Sequence, residues 1–568
     1  MDQSVELLGN ALQINEQYHP AHHLIGSISI NLRGNLIKRN TICIEQFNCS
    51  HIIKAICALL AESYFEVCEY AKAFECLNQS LSLGYDGLTV RLLAATLYHL
   101  KQVEPMRELC IKYAHAIQTD SQVMLYMGLL ELDEKCYVKA LDWLELAKGC
   151  ASEALFEIEA NLAYCRYLLR LDPDLLLEIV NLALAEQSES AFYFALNLLE
   201  TLGELDKAEQ LLAQAYSSHH QSVRLQLLSA KVMTRRKQFS AALAVLKLLP
   251  AQANQELELD VAYQKIAIYE AQSDYQQASS VIKNIDAQFS VAQQLAVLQQ
   301  ETARAALDAD RFQLELSGHE RPLVFIIGFP RSGTTLLESR LAPLPKVKIL
   351  EETNAAKQFY SDLLKQAGAQ NVMSFIQQLA PQQRLALAND YLNRLNDYVP
   401  LQADDIIVDK MPLNGLYILP LLSLFPKAKV ILMERHPMDL CLSSLKQRMI
   451  NLFSVASFAQ SYDCYFTLLE TIKPTCSQFI LTIKYEQLVT DFKTVFGSVL
   501  EHTAISENGI IEGVKPTAPF MFNTPSYHQV SQPLYTKSVS AYLNYQPFFN
   551  FKEPLLVEWC QRLGYSTD

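Results

Sequence analysis

Residues 322–341, PLVFIIGFPRSGTTLLESRL, decide how the chain is read. The run 322–329 is short, rich in β-branched residues and almost continuously apolar, the pattern of a strand buried on both faces. A turn bounded by Gly328 and Gly333 follows, and Thr334, Thr335 and LLESRL then open a helix. Glycines let such a turn curl its backbone N–H groups inward, and the helix start adds partial positive charge. The product is a cradle for a phosphate or a sulfate. Arg331 places a full cation inside it. A plain strand–turn–helix junction has no need of Pro-Arg-Ser-Gly-Thr-Thr, so the loop reads as an anion site.

Working downstream, four more runs have the same strand grammar: KVKIL (346–350), DIIVDKM (405–411), AKVILMER (428–435) and QFILTIKY (478–485). Helical patterns lie between them, at 334–341, 374–396, 414–424, 439–449, 456–472 and 487–500. Strand–helix alternation predicts a three-layer α/β domain built on a parallel sheet. Ligands are then expected at the carboxyl ends of the strands.

Working upstream, the grammar changes. Residues 1–310 hold only Pro20, Pro105, Pro173 and Pro250, out of 21 prolines in the chain. This region is almost unbroken helical periodicity, and it repeats. An aromatic or Leu followed three residues later by Ala occurs at Tyr70/Ala73, Tyr137/Ala140, Leu205/Ala208, Phe239/Ala242 and Tyr275/Ala278. The alanines are spaced by 67, 68, 34 and 36 residues, which gives a unit of about 34. Met106 falls in register for a weaker copy, and Gly128 and Ala147 supply small residues where antiparallel helices must touch. A 34-residue helix–turn–helix unit with small residues at these offsets resembles the tetratricopeptide repeat, over roughly residues 1–290. Extrapolated back, the register puts Val5 at the Ala position, so the chain is expected to begin on the second helix of a repeat. Such repeats stack into a curved solenoid. It serves either as a docking groove for a peptide or protein, or as a scaffold that dimerises the protein or supports the second region. The expected division is therefore 1–310, a helical repeat solenoid, and 311–568, the α/β domain.

Composition bounds the possibilities. Hydrophobic residues make up 50% of the 568, enough for large cores. Seventeen glycines, near 3% against about 7% on average, favour long helices. The net charge of −14 argues against bulk affinity for nucleic acid or an anionic membrane. No apolar run reaches the roughly 18 residues of a membrane span. The start, MDQSVELLGN, lacks the marks of a secretory signal. Thirteen cysteines, none in a CxxC spacing, read as reduced core thiols of a cytoplasmic protein.

The loop at 328–335 has the GxxxxG spacing of nucleotide-triphosphate loops, but Thr334 stands where their Lys reaches the β- and γ-phosphates. An ATPase or kinase reading loses its main charge there. PRSGTTLLESRL instead resembles the 5′-phosphosulfate loop of sulfotransferases that use PAPS (3′-phosphoadenosine 5′-phosphosulfate). The similarity extends over about 320–565. It is strongest to the protein-tyrosine sulfotransferases and to bacterial enzymes in which that domain follows tetratricopeptide repeats. The resemblance implies a P-loop-like fold, PAPS as co-substrate and no metal. It assigns Arg331, Ser332, Gly333, Thr334 and Thr335 to the 5′-phosphosulfate. It assigns Arg435 and Ser443, in RHPMDLCLS (435–443), to the 3′-phosphate. The chemistry agrees, since a guanidinium grips a phosphate bidentately and a hydroxyl adds a donor. An ion pair between Arg435 and Asp439 is the structural alternative.

Further assignments come with the resemblance. Glu352, in Glu351-Glu352-Thr353, is the family's base for the acceptor proton, where a strand end or a helix N-cap is the alternative. Lys410 is its transition-state cation, where a salt bridge to Asp409 is the alternative. Tyr485 contacts the cofactor, or is simply core. The segment SYHQVSQPLYTKSVSAY (526–542) matches the last cofactor segment through Gln529, Val530, Pro533 and Ser540, with Ser526 assisting the transition state. Departures from the pattern lower the positive charge expected around the cofactor: Gln447 and Gln532 replace basic residues, as does Ala541, and Tyr542 replaces Trp. Lys537 and Arg448 are the candidates to compensate.

The acceptor is a hydroxyl. A protein tyrosine presented by the repeats is one candidate, and a carbohydrate or other small hydroxyl compound is another. Positions that hold acidic peptide flanks in tyrosine sulfotransferases are Asn354 and Gln358 here, with Lys357 close by. A nucleotide kinase and a non-catalytic repeat scaffold with a degenerate transferase domain are the rival classes.

Overall fold

β1 (Leu323–Gly328) is buried along its whole length and forms the centre of a five-stranded parallel sheet. The other strands are β2 (Val347–Glu351), β3 (Ile406–Lys410), β4 (Lys429–Glu434) and β5 (Ile480–Lys484), in the order β2-β3-β1-β4-β5. These come from a computed structural model that describes residues 49–152, 155–170, 173–249, 255–288, 293–312, 318–447, 454–506 and 536–567. The five strands lie where the apolar runs place them. Their continuous apolarity follows from helices on both faces. On one face Val324, Ile326, Val408, Ile431 and Ile483 pack against Leu337 and Leu341 of helix Thr334–Leu341 and Val499 and Leu500 of helix Phe492–Thr503. On the other face Phe329 meets Phe458 edge-on at 5.3 Å, on helix Val455–Ile472.

Several helical expectations need correction: 414–424 is a 3-10 turn, Pro412–Leu416, followed by the helix Ile418–Leu424, and 487–500 is two helices, Tyr485–Thr490 and Phe492–Thr503. The pattern read as one helix over 374–396 is two, Val372–Gln378 and Pro381–Tyr398. Ala380 precedes Pro381 and is extended, at φ −64 and ψ 155, because a residue before proline is driven out of the α region. A helix at Ala355–Ala367, directly after Glu351-Glu352-Thr353, went unread.

The repeat periodicity is realised as helices. Cys49–Glu66, Tyr70–Ser82, Gly87–His99, Val103–Lys112, Ser121–Asp133 and Tyr137–Cys150 run in sequence through the first compact unit, Met1–Leu169. The second unit, Arg170–Asp568, holds Pro173–Glu186, Glu189–Leu202, Leu205–His219, Val223–Arg235, Phe239–Leu248, Gln255–Ala271, Tyr275–Gln288 and Gln293–Ala309, besides the α/β layers. The register residues Ala73, Met106, Ala140, Ala208, Ala242 and Ala278 are all fully buried. Gly128 shows why small residues recur: a Cβ there would lie 2.8 Å from Leu144 Cγ. The turns inside the units are closed by left-handed residues, at Cys68, Lys101, Lys135, Gly203, Lys237 and Ser273. Only one of these is glycine, which fits the chain's low glycine content. Val5, expected at the Ala position of a repeat, lies outside the described residues.

No described helix is long and apolar enough to cross a membrane. The described cysteines are all free thiols, most of them buried.

Candidate functional site

The strands end at Gly328, Glu351, Lys410, Glu434 and Lys484. Arg331, Glu352, Lys410, Arg435 and Tyr485 therefore all sit at carboxyl ends of the sheet, with β1 between β3 and β4 at the point where chain order reverses.

The first cluster surrounds the loop after β1. Gly333 has φ +97, and a Cβ on it would lie 2.5 Å from Cδ2 of Tyr485, so the loop and that ring are in direct contact. Arg331 is itself left-handed, at φ 74. Its Nε donates to Ser443 Oγ at 3.2 Å. Arg435 reaches the same loop, donating from one terminal nitrogen to the Arg331 carbonyl at 3.0 Å and from the other to the Ser538 carbonyl at 2.8 Å. Its guanidinium lies 4.6 Å over the Tyr485 ring. The Tyr485 ring thus packs between the loop at Gly333 and the Arg435 guanidinium, and burial raises its pKa while Arg435 opposes the shift.

Burial raises the pKa of Asp439, the alternative partner of Arg435, and the Arg435 charge opposes that rise. The Asp439 carboxylate accepts backbone N–H bonds from Ser540, at 2.6 Å, and Tyr542, at 2.9 Å. Asp439 therefore anchors the segment after residue 535 to the helix Pro437–Leu445. Tyr542 stacks on His436 at 4.8 Å. Lys537 is exposed. Ser526, Gln529, Val530, Gln532, Pro533 and Arg448 lie outside the described residues.

The second cluster surrounds Lys410. Alternation along β3 sends Asp409 and Lys410 to opposite faces. Asp409 accepts a hydrogen bond from Tyr391, so it is not the salt-bridge partner of Lys410. Burial pushes Asp409 up to about 6, against the bonds from Tyr391 and Asn414. Lys410, fully buried, meets three carboxylates: Glu352 at 2.9 Å, Glu338 at 3.0 Å and Glu351 at 3.8 Å. Burial alone would lower the lysine pKa, but Glu338, Glu351 and Glu352 outweigh it and raise it. Glu338 is the residue that sequence reasoning missed. It lies in the helix that follows the loop, is 1% exposed, and burial pushes it up to about 8, with Lys410 opposing. Glu352 is partly open to solvent, at 31%. It holds a left-handed backbone, at φ 49, and its N–H donates to the Lys410 carbonyl at 2.7 Å. A non-glycine residue in that region is strained, which fits a side chain held for a purpose.

The residues fit an anionic nucleotide. Ser332 Oγ, Arg435 Nε and Thr353 Oγ1 are buried donor atoms without a hydrogen-bond partner among the described residues. Buried donors of this kind call for an acceptor, from a ligand, an ion or water. Lys357, in contrast, is engaged by Glu301 at 3.3 Å.

Parts of the chain are similar to known proteins. Residues 322–508 match the model of the sulfotransferase family, and residues 201–266 match a tetratricopeptide-repeat model. The chain thus carries a sulfotransferase family domain together with tetratricopeptide repeats. An uncharacterized protein of Aquifex aeolicus (strain VF5) is 27% identical over 272 residues, which is 44% of this chain and 34% of that protein. The chain spans about a third of that relative's length. Among solved structures, the sulfotransferase domain of the Synechococcus PCC 7002 olefin synthase is 18% identical at a TM-score of 0.34, covering 45% of this chain and 99% of its own. Sulfotransferase STF9 of Mycobacterium avium is 13% identical at a TM-score of 0.28, covering 58% of this chain and 96% of its own.

Proposed function

We propose that the protein is a PAPS-dependent sulfotransferase that moves a sulfuryl group to an acceptor hydroxyl. The observation that carries this reading is the contact set joining the two grips: Arg331 to Ser443, and Arg435 to the backbone of Arg331. Two cationic groups held that close suit one ligand with anionic groups at two positions, as a nucleotide phosphorylated at 3′ and 5′ has. When bound, the donor supplies the sulfuryl group and leaves as adenosine 3′,5′-bisphosphate (PAP).

The chain's own residues divide the remaining work. The loop amides, Ser332, Thr334 and Thr335, with Arg331, bind the 5′ end. Arg435 and Ser443 bind the 3′-phosphate, and Tyr485 braces both. Glu352 takes the proton of the acceptor hydroxyl, and Lys410 orients Glu352 while its charge offsets the negative charge that develops as the S–O bond breaks. Ser526 assists at the same stage. We place the functional boundary near residue 310, with the upstream repeats docking a protein or peptide partner. A protein tyrosine is one acceptor in keeping with the Glu351-Glu352-Thr353 sequence. A glycan or small hydroxyl compound is favoured by Asn354 and Gln358 and by the engagement of Lys357 with Glu301, which leave less positive charge for an acidic peptide.

The test is to supply sulfur-labelled PAPS and a lysate of the host to the purified chain without added metal. Label on a hydroxyl-bearing product, with PAP released, is the expected result. Magnesium-dependent phosphate transfer from ATP would overturn it in favour of a kinase, and absence of any PAP binding in favour of a scaffold.

A further inference from the structure

The helices Gln255–Ala271 and Tyr275–Gln288 belong to the repeat region by sequence, yet they make specific contacts beside the Arg435 grip. The Glu270 carboxylate accepts from Lys446 Nζ at 2.7 Å through one oxygen and from the Tyr545 hydroxyl through the other. Lys446 lies three residues after Ser443, at the end of helix Pro437–Leu445. Tyr545 ends the short 3-10 turn Ala541–Tyr545. That turn follows Ser538, whose carbonyl holds Arg435, and it includes Tyr542, whose N–H, like that of Ser540, is held by Asp439. Glu270 therefore ties together the two pieces of chain that flank the grip, one carrying Ser443 and one carrying Ser538.

The surroundings reinforce the tie. Tyr545 is 1% exposed, and Tyr275 meets its ring edge-on at 5.2 Å. Lys446 Nζ lies 5.7 Å from the centre of that ring, and Lys283 lies 5.5 Å over Phe549. Solvating Glu270 separately from Lys446 and Tyr545 would leave the tyrosine hydroxyl buried without its acceptor, which is costly. The connection is thus held from several sides.

We propose that Glu270 is a positioning residue for the donor nucleotide: by joining Lys446 to Tyr545 it fixes the segment around Ser538 against Arg435, so the last repeat sets affinity at the 3′-phosphate grip. This rests on the PAPS reading above. It gives the repeats a role within the transferase site itself, in addition to docking.

The experiment compares the full-length chain with Glu270→Gln and Tyr545→Phe, using PAP and adenosine 5′-monophosphate as calorimetric probes and PAPS for kinetics. Each variant is expected to weaken PAP and to raise KM for PAPS about tenfold, the scale of one charge-assisted hydrogen bond. The affinity for adenosine 5′-monophosphate and kcat at saturating PAPS are expected to stay within about twofold of wild type. The double variant is expected to be no worse than the worse single, because both substitutions cut one tie. Tyr545→Phe retains the ring packed on Tyr275 and so remains informative should Glu270→Gln fail to fold. Unchanged PAP affinity in the folded variants, or a fall in kcat with KM held, overturns the inference while leaving the PAPS reading intact. A wild-type chain that binds no PAP overturns both.

Discussion

Glu338 and Glu352 meet the same ammonium group but do different work. Glu352 is the partly exposed one, and replacing it by Gln retains its size while removing the carboxylate proposed as base. Glu352→Gln is expected to lower kcat by about 10²–10⁴ while PAP binding stays at the wild-type level. Turnover at the wild-type rate would refute its role. Glu338 is buried and its pKa is raised from 4.5 to about 8, chiefly by loss of water. Across that window the native protein retains a proton that the unfolded chain has released, so this group makes stability fall as pH rises. Melting temperatures of wild type and Glu338→Gln are expected to diverge through the window, with the wild type losing more toward pH 8. Parallel curves would contradict the assignment. The place of Glu352 at a strand end was legible because it stands in a short motif after an apolar run. Glu338 was not, because nothing in LLESRL marks a glutamate that meets a lysine 72 residues downstream. Only the apposition of β3 with the helix after β1 brings them together.

Elements were legible where one physical rule dominated. The inner strands β1, β3 and β4 are almost wholly buried and advertise themselves by apolarity, and the edge strands β2 and β5, only partly buried, keep enough of it to be read. The repeats were found because a close helix crossing leaves room for alanine and little else, a requirement that recurs with the unit. Ala140 is fully buried at such a crossing, beside Gly128. Ala140→Leu is therefore expected to cost about 1–3 kcal/mol by overpacking, seen as a lower denaturation midpoint. A midpoint equal to wild type would mean that the helices part easily and that the periodicity has another origin. The helix at Ala355–Ala367 has an apolar stripe of Ala356, Phe359, Tyr360 and Leu363, but it starts directly after carboxylates that also suit a solvated strand end. The break at Pro381 was missed because periodicity continues across it, even though the proline itself signals the boundary.

At the scale of the molecule, sequence grammar and physical packing divide the chain differently. Proline use and strand patterns change near residue 310, whereas the compact units part between Leu169 and Arg170. Contacts explain the difference. Asp308, on the helix Gln293–Ala309, is 1% exposed and accepts from the Tyr360 hydroxyl at 2.7 Å and from Asn371 at 2.8 Å. Such pairings join segments distant in sequence, so composition does not reveal them. Sheet order was equally hidden, since the β2-β3-β1-β4-β5 arrangement depends on which crossovers pack, yet it is this order that gathers Arg331 and Arg435 on neighbouring strands. The most direct test of that gathering is metal-free calorimetry of PAP against adenosine 5′-monophosphate, with the wild-type chain and Arg435→Ala. The wild type is expected to prefer PAP by at least about tenfold, and the substitution to erase the preference while adenosine 5′-monophosphate binding persists. Equal affinity of the wild type for both nucleotides, or an equal loss for both in the variant, would contradict it.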